Sequence, residues 1–346
     1  MRYLINMNTL NKSEVFPRVG RMEQLASIRR LMYEDGKGRG MRVLDFKNGS
    51  GLAFSVLPDR GMDIAQASYK GVGLAWLSCN ADVAPHFHEP GGIEWLRTWG
   101  GGLLTGCGLS NVGGPNDCNG EKHGLHGRIS HIPAEEVNTT AAWSEDGSKY
   151  LMTACGRVRH SRVFGEKLVC ARKISTALND NSITVCDTIE NQGYLPAPFM
   201  LLYHINLGWP LLDDGTTLEA PEHKITPQSE HAAAGLADWN KASAPMAGFA
   251  EQVFYHDLPA GKSGLASMLV VNKHLNLELE VAYRVAELPY LIQWKMMGQG
   301  EYVMGLEPAN CYPEGQARVS ERGLLRQLAP GEKTETFLRF TIRPAK

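Results

Sequence analysis

Short apolar or alternating runs, closed off by Gly, Pro and Asn, recur along the whole chain, and long amphipathic helical patterns are scarce. Ile28 to Tyr33 and Met41 to Phe46 flank the turn-rich stretch Glu34 to Gly40, which predicts a hairpin with a loose loop. Asn48 to Gly51 is a second turn, and Leu52 to Leu57 then reads as a strand stopped by Pro58. Ile183, Val185 and Ile189 fall on one face of a strand, and Asp187 breaks the alternation on that same face. Pro198 to His204 is a continuous apolar run ending in a histidine, the pattern of a strand buried on both faces. Leu277 to Val285, Leu291 to Met296 and Tyr302 to Leu306 continue the series. Pro330-Gly331-Glu332 predicts a turn before a last strand, Thr336 to Ile342, while the Ala-rich stretch His231 to Leu236 fits a helix or an excursion loop. The pattern predicts an all-β chain with few short helices: a large single-domain β-sandwich over residues 26–346, preceded by an arm of residues 1–25.

Composition narrows the function classes. Hydrophobic residues make up 43% and charged residues 21% of the 346, enough for a sizeable core. A formal net charge of -2 with no basic stripe argues against nucleic acid. No apolar run approaches the length of a membrane-spanning helix, so no membrane partner is expected. Seven cysteines, an odd number with no CxxC pair, read as reduced thiols, and Met1 to Lys12 lack the apolar core of a secretory signal. A cytoplasmic protein is expected.

Three segments carry candidate chemistry. His123-Gly124-Leu125-His126-Gly127-Arg128 sets two imidazoles among glycines, on a loop or strand end that a ligand can approach closely. In Tyr203-His204-Ile205-Asn206-Leu207-Gly208-Trp209 a histidine, an amide and an aromatic follow the apolar run. In Gly305-Leu306-Glu307-Pro308 a carboxylate sits at a strand end, and Pro308 holds Glu307 extended. Each alone is compatible with an ordinary structural role.

Together, in this order, Leu125-His126-Gly127, His204 with Asn206-Leu207, and Glu307-Pro308 resemble the aldose 1-epimerase (galactose mutarotase-like) superfamily, and within it a bacterial DUF4432-like branch. The resemblance spans roughly residues 25 to 345. Pro58 to Ile64 is similar to the place where that family often has a sugar-binding arginine, here Arg60. The chain departs from the family pattern where Arg128 replaces a second glycine, where Ile205 replaces an aromatic, and in the extra imidazole of His123. The resemblance implies a galactose mutarotase-like supersandwich and interconversion of sugar anomers without metal or cofactor.

Anomer exchange opens the ring: a base takes the proton of the anomeric hydroxyl and an acid protonates the ring oxygen. The resemblance implies Glu307 as base, His204 as acid, and His126 as a donor to the ring oxygen or a neighbouring hydroxyl. Arg60, His123, Arg128, Asn206 and Gln293 are candidate contacts for hydroxyls, and Trp209 and Trp294 for the apolar face of the ring. Arginines at 60 and 128 would also suit an acidic sugar. The expected partner is thus a small-molecule sugar, with a homodimer as a candidate assembly. Two other readings stay open. One is a cupin-like metal-dependent isomerase using His86, His88, His123 and His126. The other is a non-catalytic sugar-binding protein on the same fold.

Overall fold

In the computed structural model, which describes residues 10–345, the alternating segments assemble into antiparallel sheets. An eight-stranded sheet runs in the order Thr217–Glu219, Leu265–Asn272, Leu277–Arg284, Lys333–Arg343, Ser182–Asn191, Lys167–Ala177, Tyr150–Ser161, Glu135–Trp143. A six-stranded sheet runs Lys224–Pro227, Gln252–Asp257, Tyr290–Met297, Tyr302–Ala309, Met200–Gly208, Thr105–Leu109. A five-stranded sheet begins with Ser27–Met32, Arg42–Lys47, Leu52–Leu57 and Asp63–Tyr69. The expected hairpin is present, with Ile28 opposite Phe46.

The core lies between sheet faces. Tyr203, Ile205, Leu207 and Leu306 of the six-stranded sheet pack in one cluster with Ile183, Val185, Leu338 and Phe340 of the eight-stranded sheet. Phe46, Leu52 and Phe54 bring the five-stranded sheet into the same cluster. Because neighbours on a strand face opposite ways, Met200 and Leu202 turn to the other side of the six-stranded sheet and join Trp76, Trp95 and Trp99. Every residue of Met200–Gly208 is buried, as its unbroken apolar run predicts.

Asp187, the residue that broke the alternation, points into the core. Register places it opposite Arg172, whose guanidinium donates to it at 2.8 Å with both side chains fully buried. The Tyr203 hydroxyl, from the facing sheet, donates to the same carboxylate at 2.6 Å, so the contact at 2.5 Å between Tyr203 and Thr336 is donated by Thr336. Arg172 also reaches the Gly61 carbonyl at 3.2 Å and Asp63 at 3.5 Å, and Asp63 accepts from the Gly106 N–H at 2.9 Å. This polar cluster ties all three sheets together.

Two boundaries differ from expectation. The strand carrying His204 runs on to Gly208, and the strand carrying Glu307 runs on to Ala309, so both residues lie inside strands rather than at their ends. Continued pairing between the two strands, Ile205 with Leu306 and Leu202 with Ala309, explains the extra length. His231 to Leu236 is a short helix, Glu230–Ala234, capped by Ser229, and a following turn of 3-10 helix, Leu236–Asp238. Of the expected arm, residues 1–9 lie outside the described residues. Its remainder holds the short helix Lys12–Val15, which buries Val15 and donates from Lys12 N–H to the Gly147 carbonyl at 3.0 Å. Among the described residues no helix is long and apolar enough to cross a membrane.

Removing one partner of a buried ion pair strands the other charge, at a cost of about 3–5 kcal/mol. Asp187→Ala is therefore expected to lower the unfolding free energy by an amount in that range, read as a lower denaturant midpoint. A midpoint equal to that of the native protein would remove the cluster from the forces holding the sheets together.

Candidate active site

The face of the six-stranded sheet turned away from the core carries the candidate chemistry. Pairing of Ile205 with Leu306 brings His204 and Glu307 side by side on that face. Their Nε2 and Oε1 atoms are 3.1 Å apart, and both side chains are buried. On the next strand Ile292 pairs with Glu307 and Trp294 with Gly305. A Cβ at Gly305 would stand 2.9 Å from the Glu307 Oε1 and 3.0 Å from the Trp294 Cβ, so the glycine leaves the room that the carboxylate and the indole occupy.

His126 arrives on the loop that follows the strand Glu121–His123. It adopts a left-handed φ of 55°, uncommon for a residue with a side chain. Three backbone bonds hold it there: His126 N–H to Gly113 O at 2.9 Å, Gly108 N–H to His126 O at 2.9 Å, and Arg128 N–H to Gly108 O at 3.0 Å. Gly127 permits the turn, since its Cβ would meet Gly108 O at 2.5 Å. The Gly113 N–H points at the His126 Nδ1 from 3.4 Å, so Nδ1 accepts and Nε2 carries the ring proton. The His126 ring lies edge-on to that of His204, with centroids 5.7 Å apart.

Tryptophans wall this cleft, whose volume is about 270 Å³, near the lower end for small-ligand pockets. Trp99 lies 5.0 Å from the His204 ring and 5.8 Å from Trp294, and Trp95 lies 5.0 Å from His126 and 4.8 Å from Trp99. The Trp294 N–H donates to Glu251 at 2.7 Å, which sets a second carboxylate at the rim. Trp95, Trp99 and Glu251 were not expected from the sequence. The two tryptophans stand four apart in the glycine-rich segment 91–102, a signal that could have drawn attention, whereas Glu251 has no distinguishing context.

Burial sets the electrostatics. It pushes the Glu307 carboxyl up to about 8, with help from the charge of Glu251. It pulls His204 down to about 3, with a smaller push from His126, and it pulls His126 down to about 4. The cleft thus favours the neutral form of each group, which keeps a proton on the Glu307 carboxyl, 3.1 Å from the Nε2 of His204. No Lys or Arg is among the described lining residues.

Residues 38–342 match the family described as "Domain of unknown function (DUF4432)". The chain belongs to this family. No curated protein is significantly similar to it in sequence. Among solved structures, a candidate aldose 1-epimerase from Klebsiella pneumoniae is 26% identical, with a TM-score of 0.86 over 93% of this chain and 86% of that one. A galactose mutarotase-like protein from Clostridium acetobutylicum is 13% identical, with a TM-score of 0.65 over 93% of this chain and 99% of that one. A galactose 1-epimerase from Lactobacillus acidophilus is 12% identical, with a TM-score of 0.59 over 93% and 100% of the two chains. The fold of this family member is the galactose mutarotase-like β-sandwich.

Of the expected site residues, the structure gathers Glu307, His204, His126 and Trp294 in the cleft and places the others elsewhere. Gln293 neighbours Trp294 on one strand and therefore faces the core, where it accepts from His256 at 3.0 Å and donates to Trp239 O at 2.7 Å. Asn206 shares the face of His204, but its amide donates to the carbonyls of Gly102 and His204 at 2.9 and 3.0 Å. Trp209 lies beyond the strand end, 68% exposed and outside the cleft. Arg60 is buried under another loop and donates to Val83 O at 3.0 Å. His123 and Arg128 line a separate cavity, since the loop that carries them turns over between Gly124 and Gly127. The imidazoles of the alternative, metal-dependent reading are dispersed as well. His88 stacks on His131 at 3.7 Å, His86 lies against Phe87 at 4.4 Å, and neither lines the cleft with His126. Among the described residues no three His, Cys, Asp or Glu side chains converge as a ligand set.

The raised carboxyl has a consequence for stability. Glu307 ionises near its ordinary 4.5 in the unfolded chain and at about 8 in the fold, so the folded state binds this proton more tightly. The stability it contributes is complete below the ordinary value and is lost as pH rises through about 8. Glu307→Gln, which cannot ionise, is expected to lose less stability than the native protein between mildly acidic and mildly alkaline pH. Denaturant midpoints measured along a pH series check this, and parallel curves for the two proteins would contradict it.

Proposed function

We propose that this protein is a sugar isomerase of the aldose 1-epimerase type, acting on a neutral aldose in the tryptophan-walled cleft. The reading rests on the 3.1 Å approach of Glu307 and His204, a buried carboxyl and a buried imidazole, with the N–H of His126 beside them. Ring opening needs such a pair. Glu307 removes the proton from the anomeric hydroxyl as the bond from the anomeric carbon to the ring oxygen breaks, and His204 delivers a proton to that oxygen. Glu307 takes the basic role once the proton that burial keeps on its carboxyl has moved to the Nε2 of His204, a shift across 3.1 Å. His126 donates from Nε2 to the ring oxygen or to an adjacent hydroxyl. Rotation about the next carbon–carbon bond exposes the other face of the aldehyde, and the same steps run backwards. No atom is gained or lost, and no redox step is needed.

The indoles of Trp95, Trp99 and Trp294 offer flat apolar surface for the C–H face of a pyranose. Glu251 sets a carboxylate at the rim and no Lys or Arg is among the described lining residues, so a neutral ring fits the cleft better than an acidic one. The arginines that would have favoured an acidic sugar, Arg60 and Arg128, lie outside it. Seven free cysteines suit work in the reducing cytoplasm.

Saturation-transfer NMR across a panel of neutral and acidic hexoses and pentoses tests the reading. Accelerated exchange between anomers is expected for some neutral sugar. Glu307→Gln is expected to lower that rate about 10²-fold or more while leaving affinity nearly unchanged, and His204→Asn should behave similarly. Tight binding of a sugar without any acceleration would make the protein a binder and Glu307 a ligand contact.

A further inference from the structure

The segment His123 to Arg128 has two sides. Leu125 and His126 line the tryptophan-walled cleft, whereas His123, Gly124, Gly127 and Arg128 line a second cavity of about 330 Å³. Between the cavities the loop is closed off by close backbone packing: a Cβ at Gly124 would stand 2.3 Å from Pro90 O. The second cavity is therefore a separate space and no extension of the first.

Its charges do not balance. Lys122, Arg128, Arg159 and Arg162 line it with two carboxylates, Glu121 and Glu166, and with Glu135 paired to Arg159 this leaves a surplus of one positive charge. Both carboxylates are engaged by Arg162, at 2.9 and 3.1 Å. Arg159 is engaged by Glu135 at 2.7 Å. The guanidinium of Arg128 has no hydrogen-bond or ion-pair partner among the described residues. On the same wall His123 is only 9% exposed, and its buried Nε2 lacks any partner. Buried ring nitrogens are rarely left so, and an unmet imidazole beside a free guanidinium is a donor set for an oxyanion.

We propose that this cavity binds the phosphate group of a small molecule, held by Arg128 and His123. A phosphate group offsets the surplus positive charge, and Arg128 supplies the fork of donors that its oxygens accept. The group could come from inorganic phosphate or from a phosphomonoester that extends toward Ser110 and Ser161. The proposal concerns a site apart from the sugar cleft and stands whether or not the protein exchanges anomers.

The test is calorimetric titration of the full chain with inorganic phosphate against a chloride control of equal ionic strength, with the imidazole signals followed by NMR. Saturable binding with a shift of the His123 signal is expected. Arg128→Gln and His123→Asn should each weaken it about tenfold or more, as loss of a charge-assisted bond implies. Glu307→Gln should leave it unchanged. Should His123→Asn fail to fold, Arg128→Gln, at an exposed position, decides alone. A hexose phosphate that binds more tightly than inorganic phosphate would identify the phosphomonoester as the ligand, and equal affinity would identify the free ion. Absence of saturable binding, or binding untouched by Arg128→Gln, overturns the proposal.

Discussion

The buried carboxylate of Asp187 is the fixed point of this structure. It takes the guanidinium of Arg172 from its own sheet and the hydroxyl of Tyr203 from the facing one. A charge in a core is costly unless every partner is in place, so the three side chains admit few relative positions of the sheets. Tyr203 precedes His204 on one strand, and neighbours on a strand face opposite ways. The residue anchored in the core therefore sits directly behind the residue presented to the cleft. Asp63 does the same for the strand alongside, through the N–H of Gly106.

Such anchoring matters because the cleft uses small distances. Glu307 and His204 stand 3.1 Å apart, and the space for their approach is kept by a missing side chain at Gly305. Burial does the remaining work. It removes the water that would stabilise either group's charged form, so both are held neutral. The tryptophans that exclude this water also present a flat apolar surface, so under the proposed reading one set of residues serves both electrostatics and recognition.

Much of the fold was legible in the chain, because strand alternation and turn residues are local signals. Leu52 to Leu57 is the strand that its pattern predicts. The anomaly at Asp187 was also visible, but its partner was not, since Arg172 meets it only after two strands pair. At the site, Glu307, His204 and His126 stood out by their neighbours in sequence. Arg60, Arg128 and Trp209 carried equally suitable chemistry, yet the path of the chain takes them to other surfaces. The case of Gln293 and Trp294 is instructive, since strand parity alone rules out both facing one cleft. The wall of Trp95 and Trp99 comes from a glycine-rich loop, where no periodicity reports which way a side chain turns.

The aromatic wall also gives the molecule an optical property. Trp76, Trp95, Trp99 and Trp294 form a chain of indoles with neighbouring ring centres 4.8 to 6.5 Å apart. At such separations excitation passes readily from ring to ring, so a photon absorbed by any of them is shared by all. A ligand that dries one indole face alters the emission of the whole group. The cleft is thus its own fluorophore, and occupancy can be read from the native protein without any label.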